Sequence, residues 1–184
     1  LFLSRAAEAP GEAVLAQDGA SDWVIVVAED AQAAERTAAA ELQEHLQAVT
    51  GAAFPVQPTA APDAKAIVVG PSPLLAEAHP DVDLGALGRD GIVLKSNDTR
   101  VYLAGGRPRG TLYAVYTFLE EVVGCRWWSS TERYVPEKRT LAVPALDKVY
   151  VPHLSLIHIS EPTRLLSISY AVFCLKKKKR NNNV

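Results

Sequence analysis

The feature that most constrains this chain is a run of small and aliphatic residues. Ala34, Ala38, Leu42, Leu46 and Val49 fall at spacings of four, four, four and three. Apolar residues at that spacing line one face of an α-helix and require a second apolar surface to cover them. Glu35, Arg36, Glu41 and Glu44 fall on the other faces, which predicts them in solvent. Gly51 follows the last apolar position and suits a left-handed stop, while Glu29 and Asp30 supply an N-cap. The segment 23–27, Trp-Val-Ile-Val-Val, precedes the helix, and residues 54–57 and 66–69 follow it. All three read as short strands. Strand, helix, strand in one sheet predicts a right-handed crossover and parallel pairing.

Further along, residues 91–96 and 100–104 flank Asn97-Asp98-Thr99, the pattern of a β-hairpin. Antiparallel pairing there makes the sheet mixed. Residues 74–88 read as a loop with a short helical turn. A second amphipathic helix carries Leu112, Val115, Tyr116, Leu119 and Val122 on its buried stripe, turns Glu120 and Glu121 to solvent, and stops at Gly124. Residues 140–143 suit one more short strand. The expected architecture is an α/β (α+β) domain over residues 20–153: a mixed β-sheet, two main helices on one of its faces, and a hairpin at 91–104. Residues 1–19 are expected to be an N-terminal extension. Its Ala7-Glu8-Ala9 has the small-residue form of a signal-peptide cleavage site, which points to a secreted or periplasmic protein. The sequence contains no methionine, so its reading frame is expected to open upstream.

The last 31 residues read differently from the rest. From Leu154 the string Leu-Ser-Leu-Ile-His-Ile-Ser-Glu-Pro-Thr-Arg, then Ile168-Ser-Tyr-Ala-Val-Phe-Cys-Leu175 and four lysines, resembles the translation of a transposase-type sequencing adapter with a poly-A run. Residues 154–184 are therefore expected to carry no native fold. Removing their six basic residues and one acid leaves thirteen basic against twenty acidic, a net charge of −7. An acidic domain without a basic patch speaks against nucleic-acid partners. The apolar run 165–175 is shorter than the roughly 20 residues that a membrane-spanning helix needs. With Cys174 set aside, Cys125 remains the single cysteine, so no intrachain disulfide is expected. It reads as a buried structural thiol.

Two segments could carry chemistry. Residues 105–110, Gly-Gly-Arg-Pro-Arg-Gly, join a strand to a helix, where free N–H groups favour an anion. Arg107, Arg109 and Gly110 are its candidate contacts, and a tight turn that needs glycine is the structural alternative. The spacing does not match a dinucleotide fingerprint. Arg126, Trp127 and Trp128 are the second group, suited to a sugar ring, to an interface or to the core. His45 and His79 lack neighbours at ligand spacing, so no metal or cofactor is expected. Glu120 and Glu121 are adjacent and diverge, which makes them a poor glycosidase pair. A free-standing carbohydrate-binding module and an anion- or nucleotide-binding domain remain open on these residues.

The segments 39–46 (Ala-Ala-Glu-Leu-Gln-Glu-His-Leu) with Thr50-Gly51, 67–70 (Ile-Val-Val-Gly), 90–95 (Asp-Gly-Ile-Val-Leu-Lys), 109–120 (Arg-Gly-Thr-Leu-Tyr-Ala-Val-Tyr-Thr-Phe-Leu-Glu) and 124–128 (Gly-Cys-Arg-Trp-Trp), taken in order, resemble the N-terminal domain of α-glucuronidase-like glycoside hydrolases. The second domain of β-hexosaminidases is more distantly similar. The resemblance spans about residues 20–152. It implies a non-catalytic α/β module that precedes a (β/α)₈ catalytic barrel, with polysaccharide degradation as the parent activity and that barrel as its partner. Catalytic acids would lie in the barrel, so the resemblance places no catalytic residue on this chain.

Overall fold

In the computed structural model the main sheet has six strands, and its order follows from where the apolar runs lie. β1 (Ala13–Ala16), β2 (Val24–Val27), α1 (Ala33–Thr50), β3 (Val56–Gln57), β4 (Ala66–Val69), α2 (Pro73–Ala78), β5 (Ile92–Ser96), β6 (Arg100–Gly105), α3 (Gly110–Phe118), β7 (Arg126–Trp127), β8 (Arg133–Tyr134), β9 (Leu141–Val143) and β10 (Asp147–Tyr150) follow one another along the chain. The structure describes residues 12–61, 63–129 and 132–152. The cleavage-like Ala7-Glu8-Ala9 and the segment from residue 154 onward lie outside them. The described residues up to Val151 form one compact unit.

The sheet runs β10-β5-β6-β4-β2-β3. β6, β4, β2 and β3 are parallel, as the crossover requires, while β5 is antiparallel to both β6 and β10. Alternation along each strand sorts the side chains into two cores. Ile25, Ile67, Val69, Leu94, Val101 and Leu103 meet α1 and α3 on one face. Val26, Val68, Val93, Tyr102 and Ala104 meet Leu75 and Leu87 on the other. Both main helices thus share one face, and the segment that contains α2 covers the second. Each fully buried Leu, Ile or Phe contributes about 1.5–3 kcal/mol to this arrangement.

α1 departs from expectation at its start. Glu29 and Asp30 lie in a turn, and the helix is capped at Gln32, whose backbone N–H donates to the Glu35 carboxylate at 2.8 Å. Its end is as expected, with Gly51 at φ +76° and its N–H donating to the Gln47 carbonyl at 2.8 Å. Glu35, expected in solvent, is 2% exposed. α3 also differs. Ala114, Val115, Phe118, Leu119 and Val123 are fully buried, while Leu112, Tyr116 and Val122 are only partly so. The helix passes into one π-helical turn at Leu119–Val123 before Gly124, at φ +97°. That wider turn adds a residue, so the stripe continues at Val123 rather than Val122.

The domain begins before residue 20. β1 pairs with β9 in a separate two-stranded sheet, and the Trp23 indole N–H donates to the Val14 carbonyl at 2.8 Å. Leu15 is completely buried in the helical-face core. The segment 13–16 is therefore a packed strand rather than an extension. No helix among the described residues is long and apolar enough to cross a membrane.

Candidate functional site

The three parallel strands β2, β4 and β6 end side by side, and the segments that leave them meet. In open α/β sheets this edge is where ligands gather. The start of α1 follows β2, Gly70 follows β4, and residues 105–110 follow β6. A Cβ placed on Gly70 would lie 3.5 Å from Glu35 Cγ and Cδ. Glu35 accepts from Arg107 Nε at 2.9 Å and from Arg107 Nη2 at 3.4 Å. This hydrogen-bonded carboxylate, opposed by desolvation, holds the Arg107 guanidinium above its ordinary pKa.

The 105–110 turn is built from close backbone contacts. A Cβ on Gly105 would stand 2.3 Å from the Gly110 carbonyl carbon, one on Gly106 1.9 Å from the Gly88 carbonyl oxygen, and one on Gly110 2.3 Å from the Gly91 carbonyl oxygen. No side chain fits at any of the three. The Gly106 N–H donates to Gly91 and the Gly110 N–H to Gly106, and the Arg107–Pro108 peptide is cis. Arg109 makes a two-point pair with Asp90, Nε to Oδ1 at 3.0 Å and Nη2 to Oδ2 at 3.1 Å, and lies over the Tyr113 ring at 5.9 Å. Both candidate guanidinium groups are thus occupied by carboxylates of the same chain. Thr111 Oγ1, beside them in the first turn of α3, is buried without a hydrogen-bond partner.

The second candidate group is divided by a short hairpin. β7 pairs antiparallel with β8, Arg126 opposite Tyr134 and Trp127 opposite Arg133. Trp127 turns inward. Its ring lies 5.4 Å from that of His45 and 5.2 Å from that of Tyr116, the latter edge to face. Arg133 Nη1 stands 3.6 Å from Glu44 of α1. Trp128, the next residue, is 69% exposed. The Arg126 Nη1 donates to the carbonyls of Glu120 at 2.6 Å and Cys125 at 3.0 Å, which satisfies the end of the preceding helix.

Sequence reading did not anticipate a polar group on the second face of the sheet. Asp147, Lys95 and Tyr102 are opposite one another on β10, β5 and β6. Lys95 Nζ donates to Asp147 at 2.8 Å and to Asp81 at 3.0 Å. The His79 ring meets that of Tyr102 edge to face at 5.1 Å, and both His79 Nε2 and Tyr102 Oη are buried without partners. Only the periodicity of β5, which places Lys95 on the same face as Val93, signalled this. His45 Nδ1 lies 2.8 Å from the Glu41 carbonyl, and its Nε2 is buried unpartnered. Cys125 is a fully buried free thiol whose pKa is raised by that burial. Among the described residues no three His, Cys, Asp or Glu side chains gather as a metal site.

A family model described as "Glycosyl hydrolase family 67 N-terminus" matches residues 12–118, more than half of the chain. No curated protein matches. Among solved structures, a family GH115 4-O-methyl-α-glucuronidase with specificity for decorated arabinogalactans is similar at TM-score 0.57 and 21% identity, over 76% of this chain and 18% of that one. A mutant β-hexosaminidase of Streptomyces plicatus in complex with GlcNAc is similar at TM-score 0.50 and 16% identity, over 79% of this chain and 25% of that one. These likenesses establish a shared fold, and the chain spans a quarter or less of either protein.

Proposed function

The chain belongs to the glycosyl hydrolase family 67 N-terminus family, and from that premise we propose that it is the non-catalytic domain of a glycoside hydrolase whose acid and base reside in a separate (β/α)₈ barrel. The observation that carries this reading is the fate of the two carboxylates beside the 105–110 turn, one buried and one partly so. A glycosidase needs two carboxyl groups opposed across a sugar, about 5–9.5 Å apart. Glu35 and Asp90 are instead each neutralised by an arginine, Arg107 and Arg109. An anion at the 105–110 turn would have to displace those carboxylates, which disfavours the anion-binding alternative.

The proposed partner is that barrel, and the contact surface is the edge strand β10. Val149, Tyr150 and Val151 are 44–52% exposed there, and an exposed apolar edge is a surface that another domain covers. Polymeric glycans are met outside the cytoplasm, so the proposed setting is secreted or periplasmic, without nucleic-acid or membrane partners. The experiment is to read the parent gene on both sides of this segment and assay its full product and this chain on 4-O-methylglucuronate-decorated arabinogalactan. Uronate release by the full product and none by this chain is the expected result. An unrelated neighbouring domain, or turnover by this chain itself, would overturn the proposal.

A further inference from the structure

The β7–β8 hairpin has two faces with different occupants. Side chains alternate across a strand, and the register sets which ones lie together. Trp127 and Arg133 face α1, as their contacts with His45 and Glu44 show. The Trp128 N–H donates to the Glu132 carbonyl at 3.0 Å, which extends the pairing by one step. Arg126, Trp128, Glu132 and Tyr134 therefore share the outward face. Trp128 is 69% exposed and Tyr134 51% exposed, and they are diagonal neighbours within reach of each other. An exposed aromatic pair on a ribbon anchored from behind is costly to leave in water.

We propose that this outward face is a glycan-binding platform: Trp128 and Tyr134 stack on the apolar face of a pyranose-based oligosaccharide, and Arg126 and Glu132 meet its hydroxyls. The size of the patch argues for a small ligand. A stable protein interface needs about 800 Å² and 20–30 residues on each side, whereas two strands of two residues, flanked by charged side chains, present a handful. The chemistry matches a sugar, which offers an apolar ring face ringed by hydrogen-bonding groups. Arg126 Nη1 donates to the helix-end carbonyls and lies 3.7 Å from the Glu120 carboxylate, and Nε and Nη2 bring further donors. Trp127 supports the platform from beneath and does not contact the ligand. The inference rests on the glycoside-hydrolase family assignment and not on the presence of a catalytic partner.

The test is calorimetric titration of the whole chain with xylohexaose and with chitohexaose at millimolar concentration. Trp128→Ala and Tyr134→Ala are the test variants, and Val56→Ala on β3, at the edge of the main sheet opposite β10, is the control. Thermal melting establishes that each variant is folded. Binding of at least one oligosaccharide, with Kd raised about tenfold by loss of either ring and unchanged in the control, is the expected result. Absence of heat with both sugars overturns the proposal, as does binding that survives both aromatic deletions. So does a dimer, seen by sedimentation, that Trp128→Ala dissociates. Each of these outcomes leaves the gene-reading and activity assay of the preceding section unaffected.

Discussion

Glu35 and Arg107, 72 residues apart in sequence, form a two-point ion pair in which the carboxylate is buried and the guanidinium half-exposed. The two ends are therefore unequal. Arg107→Ala leaves a buried carboxylate with the Gln32 N–H as its remaining hydrogen-bond donor, whereas Glu35→Gln leaves an arginine that can turn to water. After allowance for solvent at Arg107, Arg107→Ala should cost about 2–3 kcal/mol and Glu35→Gln about 1 kcal/mol. Urea denaturation checks the order through midpoints at unchanged slope.

The glycines divide by cause. At Gly106 the obstacle is a carbonyl oxygen 1.9 Å from any Cβ, so Gly106→Ala should cost above about 3 kcal/mol or prevent folding. At Gly51 there is open space and φ is +76°, so Gly51→Ala carries only the left-handed backbone penalty, about 1 kcal/mol. Thermal melts of the two variants give the comparison. Equal losses would contradict the packing account of the 105–110 turn.

Burial, then the nearby Lys95 charge, depresses the His79 pKa, and Asp81 and Asp147 oppose the shift. The folded state thus binds the imidazole proton less readily than the unfolded chain, whose value is near 6.5. The corresponding stability is present above that value and is lost as pH falls through the lower folded one. Melting temperature should decline from pH 7 to 5, and His79→Phe should flatten that decline. Asp81, lowered by its hydrogen bond to Lys95, adds a separate loss below its unfolded value. A decline unchanged in His79→Phe would exclude the imidazole as the source.

Cys125 is fully buried, and burial raises its pKa, so little thiolate is present to react. In native buffer an alkylating reagent should leave it unmodified on the hour scale. In guanidinium chloride it should label completely. Peptide mapping reads the site directly.

How much of this was legible follows from the range of each signal. The α1 stripe, its glycine stop and the β5–β6 hairpin are written in neighbouring residues. β1 is four residues of ordinary propensity whose partner β9 lies more than 120 positions away, and β10 is an edge strand with two charged residues out of four. Glu35 looked solvent-facing because helical periodicity contains no information about Arg107. Likewise, Arg126-Trp127-Trp128 reads locally as one aromatic group, which the structure divides. Which tryptophan faces outward depended on a two-residue strand register that no local pattern encodes.

The pairing of β1 with β9 also has a consequence for synthesis. As the chain emerges from the ribosome, residues 13–16 appear well before their partners 141–143. Until then β1 has no opposite strand, and β5 awaits β10 on its outer edge. The helical crossover from β2 to β4 can form early, because its contacts are local. Closure of the body cannot, so the nascent domain stays open along one side for most of its translation and completes itself only when its final strands clear the exit tunnel.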